Sequence, residues 1–146
     1  MTACRAVLAA LALAAACAAW GHELAFGTPV DPAKAARTIA IDMSDAMRFT
    51  PSVVEVKRGE SVRFAVKNSG ALAHEFVLGT MRDLKKHAEM MKKHPDMQHD
   101  EPHMLRLDAG RSGEIGWRFT RAGELHFGCL VPGHFDAGMV GRIVVK

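Results

Sequence analysis

One short stretch near the C-terminal end concentrates side chains able to bind a soft metal. Residues 128–139 read GCLVPGHFDAGM, which sets Cys129, His134 and Met139 at a spacing of five and five. A thiolate is a strong, soft ligand, an imidazole is intermediate, and a thioether is soft and weak. Such donors suit copper, which alternates between a softer Cu(I) and a harder Cu(II). Two imidazoles, one thiolate and a weak axial thioether make up a type 1 copper site. The stretch therefore offers three of four donors and lacks one histidine. A structural zinc site favours more cysteines and no thioether. The plainest alternative is an inert buried thiol beside a turn-capping histidine and a core methionine.

The remaining histidines are His22, His74, His87, His94, His99, His103 and His126. His74 stands out because it opens the apolar run HEFVLG directly after the turn SGALA. Cys129 closes the run ELHFGC in the same manner, and strand ends gather at one pole of a sandwich. His126 precedes Cys129 by three residues, so period-two alternation turns it to the opposite face. His87, His94, His99 and His103 fall in a segment with no evident tie to the loop.

The elements that would position these residues are mostly strands. TIAIDM (38–43), VVEV (53–56), SVRFAVKN (61–68) and HEFVLG (74–79) alternate or run apolar between turns such as KRGE and SG. HMLRLDAG, GEIGWRFT, GELHFGC and VGRIVVK follow, each bounded by glycine-containing turns. About seven or eight short strands at this spacing predict an all-β Greek-key sandwich or barrel. Residues 80–95, TMRDLKKHAEMMKKHP, break the pattern: Leu84, Ala88 and Met91 recur at helical spacing, and Pro95 ends the run. One inserted helix is expected there, followed by a polar loop. Residues 22–37 have no clear period and two prolines, and are read as a flexible arm.

The first residues, MTACRAVLAALALAAACAAWGHE, place Arg5 before an apolar run from Ala6 to Ala19. That run is shorter than the roughly 20 residues a membrane span needs. Small residues follow it, as a signal-peptidase site requires. Residues 1–21 are therefore expected to be an export signal, with the mature protein in the periplasm and no stable membrane span. Cleavage removes Cys4 and Cys17 and leaves Cys129 as the lone cysteine. The chain of 146 residues, 49% hydrophobic with a formal charge of +3, suits one globular domain. No basic cluster of the kind that binds nucleic acid exists. Lys85, Lys86, Lys92 and Lys93 lie in one segment mixed with acids and read as a solvated helix face.

From residue 38 to the end the sequence resembles the cupredoxins, the small blue-copper proteins. HEFVLG and GCLVPGHFDAGMVGRIVV carry the likeness, and the Cys-x4-His-x4-Met spacing is similar to that of auracyanins and rusticyanin. Residues 45–70, DAMRFTPSVVEVKRGESVRFAVKNSG, together with HEFVLG, look like the plastocyanin-like cupredoxins associated with bacterial copper resistance. The resemblance implies one type 1 copper held by His74, Cys129, His134 and axial Met139. Gly128 and Gly133 would let the backbone approach closely, and Leu130 and Phe135 would wall the sulfur.

A site with three strong ligands and one weak one has no open position, so no enzyme activity is expected. Gly128 and Leu130 flank the cysteine, where multicopper oxidases carry histidines. Two roles remain: copper tolerance or homeostasis, or electron transfer between periplasmic partners. A docking patch for such a partner would comprise Leu130, Val131, Pro132 and Phe135 around His134, on a protein expected to be monomeric. The insert 80–104 suggests copper handling, because it gathers His87, Met90, Met91, His94, Met97, His99, His103 and Met104 as a candidate second copper site. His87, Met90, Met91 and His94 share one side of a helix by spacing.

Overall fold

The structure is a computed structural model that describes residues 24–98 and 100–146. The expected export signal, His22 and His99 lie outside those residues. Among the described residues the strands are β1 (Gly27–Pro29), β2 (Arg37–Ser44), β3 (Arg48–Thr50), β4 (Val53–Val56) and β5 (Ser61–Asn68). After them come β6 (His74–Gly79), α1 (Met81–Lys93), β7 (Met104–Leu107), β8 (Ser112–Phe119), β9 (Gly123–Gly128) and β10 (Val140–Val145). They form two five-stranded sheets, ordered β1-β8-β5-β2-β3 and β4-β10-β9-β6-β7. The β2–β5 and β4–β10 pairs run parallel, and the other pairs are antiparallel.

Alternation builds the core between the layers. Val62, Phe64 and Val66 of β5 point inward, as do Ile115, Trp117 and Phe119 of β8 and Leu125 and Phe127 of β9. Phe49, Phe76 and Phe127 meet with ring centroids 5.0 to 6.0 Å apart. Aromatic pairs of this kind add roughly 0.5–1.5 kcal/mol each beyond the area they bury.

The sandwich is the expected one, with ten strands rather than seven or eight. The two additional strands have short sequences. β3 is only Arg48–Thr50. β1 corrects the reading of residues 22–37 as a flexible arm. Gly27, Thr28 and Pro29 pair with Phe119, Arg118 and Trp117 of β8, and the buried Phe26 ring lies 5.4 Å from that of Trp117. A three-residue strand with a proline has no readable period; it is placed by pairing with β8 and by Phe26 against Trp117.

β6 is buried along its whole length, HEFVLG. Its inner face meets the core through Phe76 and Leu78, and its outer face is covered by the helix, as Val77 packs with Leu84, Ala88, Met91 and Leu130. This double cover is why the run lacks alternation. The helix starts where Thr80 caps it, its hydroxyl accepting from the Asp83 N–H at 3.2 Å. Such a cap contributes about 1 kcal/mol.

Candidate metal centre

His74 is the first residue of β6, and Cys129 directly follows β9. β6 and β9 are antiparallel neighbours, with Val77 opposite Gly128. The pairing brings the start of one strand beside the end of the other. The loop 129–139 then closes on itself. The Cys129 N–H donates to the Met139 carbonyl, and the Met139 N–H to the His134 carbonyl, both at 3.1 Å. Gly133 takes φ +86°, which a side chain rarely adopts. Gly128 lies against the Phe135 ring, where a Cβ would come within 3.1 Å of it.

Three donors converge. His74 Nδ1 is 3.2 Å from His134 Nδ1, and Cys129 Sγ is 3.4 Å from His134 Nδ1 and 3.9 Å from His74 Nδ1. A circle through three points so spaced has a radius of about 2.0 Å. Nitrogen and sulfur donors bind a first-row ion at roughly 2.0–2.3 Å, so an ion at the centre of the triangle would reach all three. His74, Cys129 and Met139 are fully buried, and His134 is half-buried. Among the described residues this is the one cluster of three or more His, Cys, Asp or Glu ligand atoms with such mutual proximity.

The surroundings favour a neutral thiol without metal. Burial pushes the Cys129 thiol up to about 11, partly offset by N–H bonds from Glu75 and Val131. The Glu75 N–H donates to Cys129 Sγ at 3.3 Å. Its buried carboxylate accepts from Arg106 Nη1 at 2.9 Å. Burial, and then the neighbouring His74, hold His134 below the usual imidazole range. His74 Nε2 lies 3.0 Å from Asp45 Oδ1. Asp45 itself is held below the usual carboxylate range, first by the Ala71 N–H and then by His74. Asn68, fully buried, donates to the carbonyls of Leu72 and Leu107 and accepts from the Gly70 N–H, fixing the turn before His74.

Nothing in the sequence marks Asp45, Asn68, Glu75 or Arg106. An aspartate in the turn SDAM and an asparagine before SG have ordinary turn roles, and only the fold brings them to the histidine. Leu130, expected in a surface patch, is 1% exposed and packs beneath α1 with Val77 and Leu84. That removes it from any docking surface. Phe135 is half-buried against the same cluster, Val131 is half-buried, and Pro132 is exposed.

Among the described residues, the methionines and histidines of the insert do not form one group. Met91 is buried with Leu84 and Ala88 on the core face of α1, which corrects its grouping with His87, Met90 and His94. Those three line an outward cleft with Asp83, Lys86 and Lys93. Met97 and Met104 line another, beside Glu75, Asp96, Asp100 and Asp108. His103 faces the Trp117 ring at 6.3 Å, and burial lowers its pKa.

A two-sheet sandwich that brings one buried thiol and two imidazoles within reach of one ion has the fold and the donor set of a type 1 copper protein, a cupredoxin. Residues 35–146 match the family described as copper binding proteins, plastocyanin/azurin family, and the chain belongs to that family. Copper-resistant cuproprotein CopI of Rubrivivax gelatinosus is 56% identical over 83% of this chain and 73% of its own length. CopI of Pseudomonas aeruginosa is 38% identical, covering 96% of this chain and 93% of its own length. Among solved structures, auracyanin B superposes with a TM-score of 0.67 at 24% identity, covering 83% of this chain and 96% of that one. Azurin iso-2 of Methylomonas sp. strain J gives 0.63 at 14% identity, covering 77% and 99%.

Proposed function

We infer that this chain is a periplasmic copper protein that serves copper tolerance or homeostasis and is capable of one-electron transfer, without enzyme activity. His74, Cys129 and His134 would hold the copper, with Met139 as a weaker fourth donor. The observation that carries this reading is the donor triangle at 3.2, 3.4 and 3.9 Å, with Met139 fully buried and its backbone bonded to Cys129 and His134. Bound there, copper supplies a one-electron couple between Cu(II) and Cu(I). The chain's part is to keep the donors in one arrangement for both states. Backbone bonds hold Cys129, His134 and Met139 in a closed loop, N–H groups of Glu75 and Val131 stabilise the thiolate, and burial excludes water. The half-buried imidazole of His134 is the ligand nearest to solvent.

The tolerance role is supported by relatives at 56%, 38% and 34% identity, all copper-resistant cuproprotein CopI. The periplasmic location rests on residues 1–21, read as an export signal. Among the described residues no helix is long and apolar enough to cross a membrane. The second reading, a dedicated electron carrier, is favoured by Val131 and Pro132 beside the partly open edge of His134. Copper-loaded protein should be blue or green, and Cys129→Ser should abolish the colour while copper still binds weakly. A colourless complex in the unsubstituted protein would contradict the site. A deletion strain that grows normally on excess copper but respires poorly would favour the carrier over tolerance.

A further inference from the structure

Asp45 occupies the turn between β2 and β3, and its carboxylate faces the strand that carries His74. Oδ1 lies 3.0 Å from His74 Nε2 and accepts from the Leu72 N–H at 3.2 Å; Oδ2 accepts from the Ala71 N–H at 2.7 Å. The histidine side chain is 0% exposed and the carboxylate 38%. A charged group at the rim thus grips a ligand that water does not reach. Gly70 makes room for it, since a Cβ there would lie 2.0 Å from Oδ1. The same hairpin braces the other ligand segment: Arg48 Nη1 donates to the Ala137 carbonyl at 3.1 Å.

A neutral imidazole carries one proton, and the group bonded to one nitrogen decides where it sits. A carboxylate can only accept, so His74 donates from Nε2 and its Nδ1 lone pair is left facing Cys129 and His134. Carboxylates behind metal-bound histidines raise ligand basicity in this way. The negative charge has a further effect. Cu(II) carries one more positive charge than Cu(I), so a nearby anion stabilises it more. Partial exposure weakens that preference without removing it.

Resting on the copper reading above, we propose that Asp45 is a positioning residue for the copper centre: it fixes the tautomer of His74 and favours Cu(II) over Cu(I), lowering the reduction potential. A neutral acceptor would serve the tautomer alone, so Asp45→Asn separates the two effects.

The experiment measures Cu(II) and Cu(I) affinities and the midpoint potential of the unsubstituted protein and of Asp45→Asn. Removing such an outer partner changes metal affinity by about tenfold or more. Cu(II) affinity should fall about tenfold relative to Cu(I), which for one electron raises the potential by about 59 mV. An unmoved ratio of affinities would overturn the proposal. Nitrogen-15 NMR of the unsubstituted, metal-free protein tests it without any substitution. The His74 proton should reside on Nε2, and a proton on Nδ1 would overturn it. Failure of the copper reading looks different: the unsubstituted protein would lack a thiolate-to-copper band, and the tuning would fall with it. A normal band with an unmoved affinity ratio removes only the role of Asp45.

Discussion

Copper binding at Cys129 should expel one proton, and the structure sets how strongly. The thiol is buried and titrates near 11, so at neutral pH it is protonated in the metal-free protein. A thiolate ligand must shed that proton. His134 lies below the usual imidazole range, so it is already neutral at pH 7.5 and adds no proton there. The sign follows: apparent copper affinity rises with pH, about tenfold per pH unit, until the thiol itself ionises near 11. At pH 7 the proton therefore holds back binding by about 5 kcal/mol, at 1.36 kcal/mol per pH unit. Calorimetry at pH 7.5 in two buffers of different ionisation enthalpy reads the proton count directly. We predict about one proton released per copper, and none for Cys129→Ser. Release of no proton by the unsubstituted protein, with affinity flat between about pH 7 and 9, would refute the reasoning.

Other consequences follow from the same geometry. In the metal-free protein the folded thiol titrates near 11 against 9.0 ordinarily. Stability is therefore full below about pH 9 and falls by roughly 3 kcal/mol as pH rises to 11, by the same conversion. Copper-loaded protein should escape this loss, which chemical denaturation at several pH values measures. Met91→Ala should cost about 2–5 kcal/mol, as core truncations do, while copper stoichiometry at the Cys129 site stays at one; denaturant titration and metal analysis check both. Arg48→Ala removes donors to the carbonyls of Met47 and Ala137. It should lower stability by about 1–2 kcal/mol and speed copper loss to a chelator in stopped-flow mixing.

Much of this was legible in the sequence because the chemistry is local there. Cys129, His134 and Met139 lie within one loop, and His74 follows a turn, so strand-end reasoning pointed His74 at that loop. Alternating or apolar runs between turns located eight of the ten described strands. The pattern failed where tertiary contacts override it. β1 is defined by its pairing with β8 and by Phe26 packed on Trp117, not by a period of its own. The outer face of β6 is buried by a helix, and the same helix draws Leu130 and Met91 inward. Helical spacing set Met91 both with Leu84 and Ala88 and beside Met90; the core lies on one side of α1 and takes Met91. Asp45 was out of reach because a bond across 29 residues depends on two turns meeting.

The central claim is that one copper sits among His74, Cys129 and His134. X-ray absorption at the copper edge, with a crystal structure of the loaded protein, tests it most directly. The account predicts two nitrogens and one sulfur at roughly 2.0–2.3 Å, with the Met139 sulfur farther away. Copper ligated instead by His87, Met90 or His94, with the Cys129 thiol unligated, would contradict it.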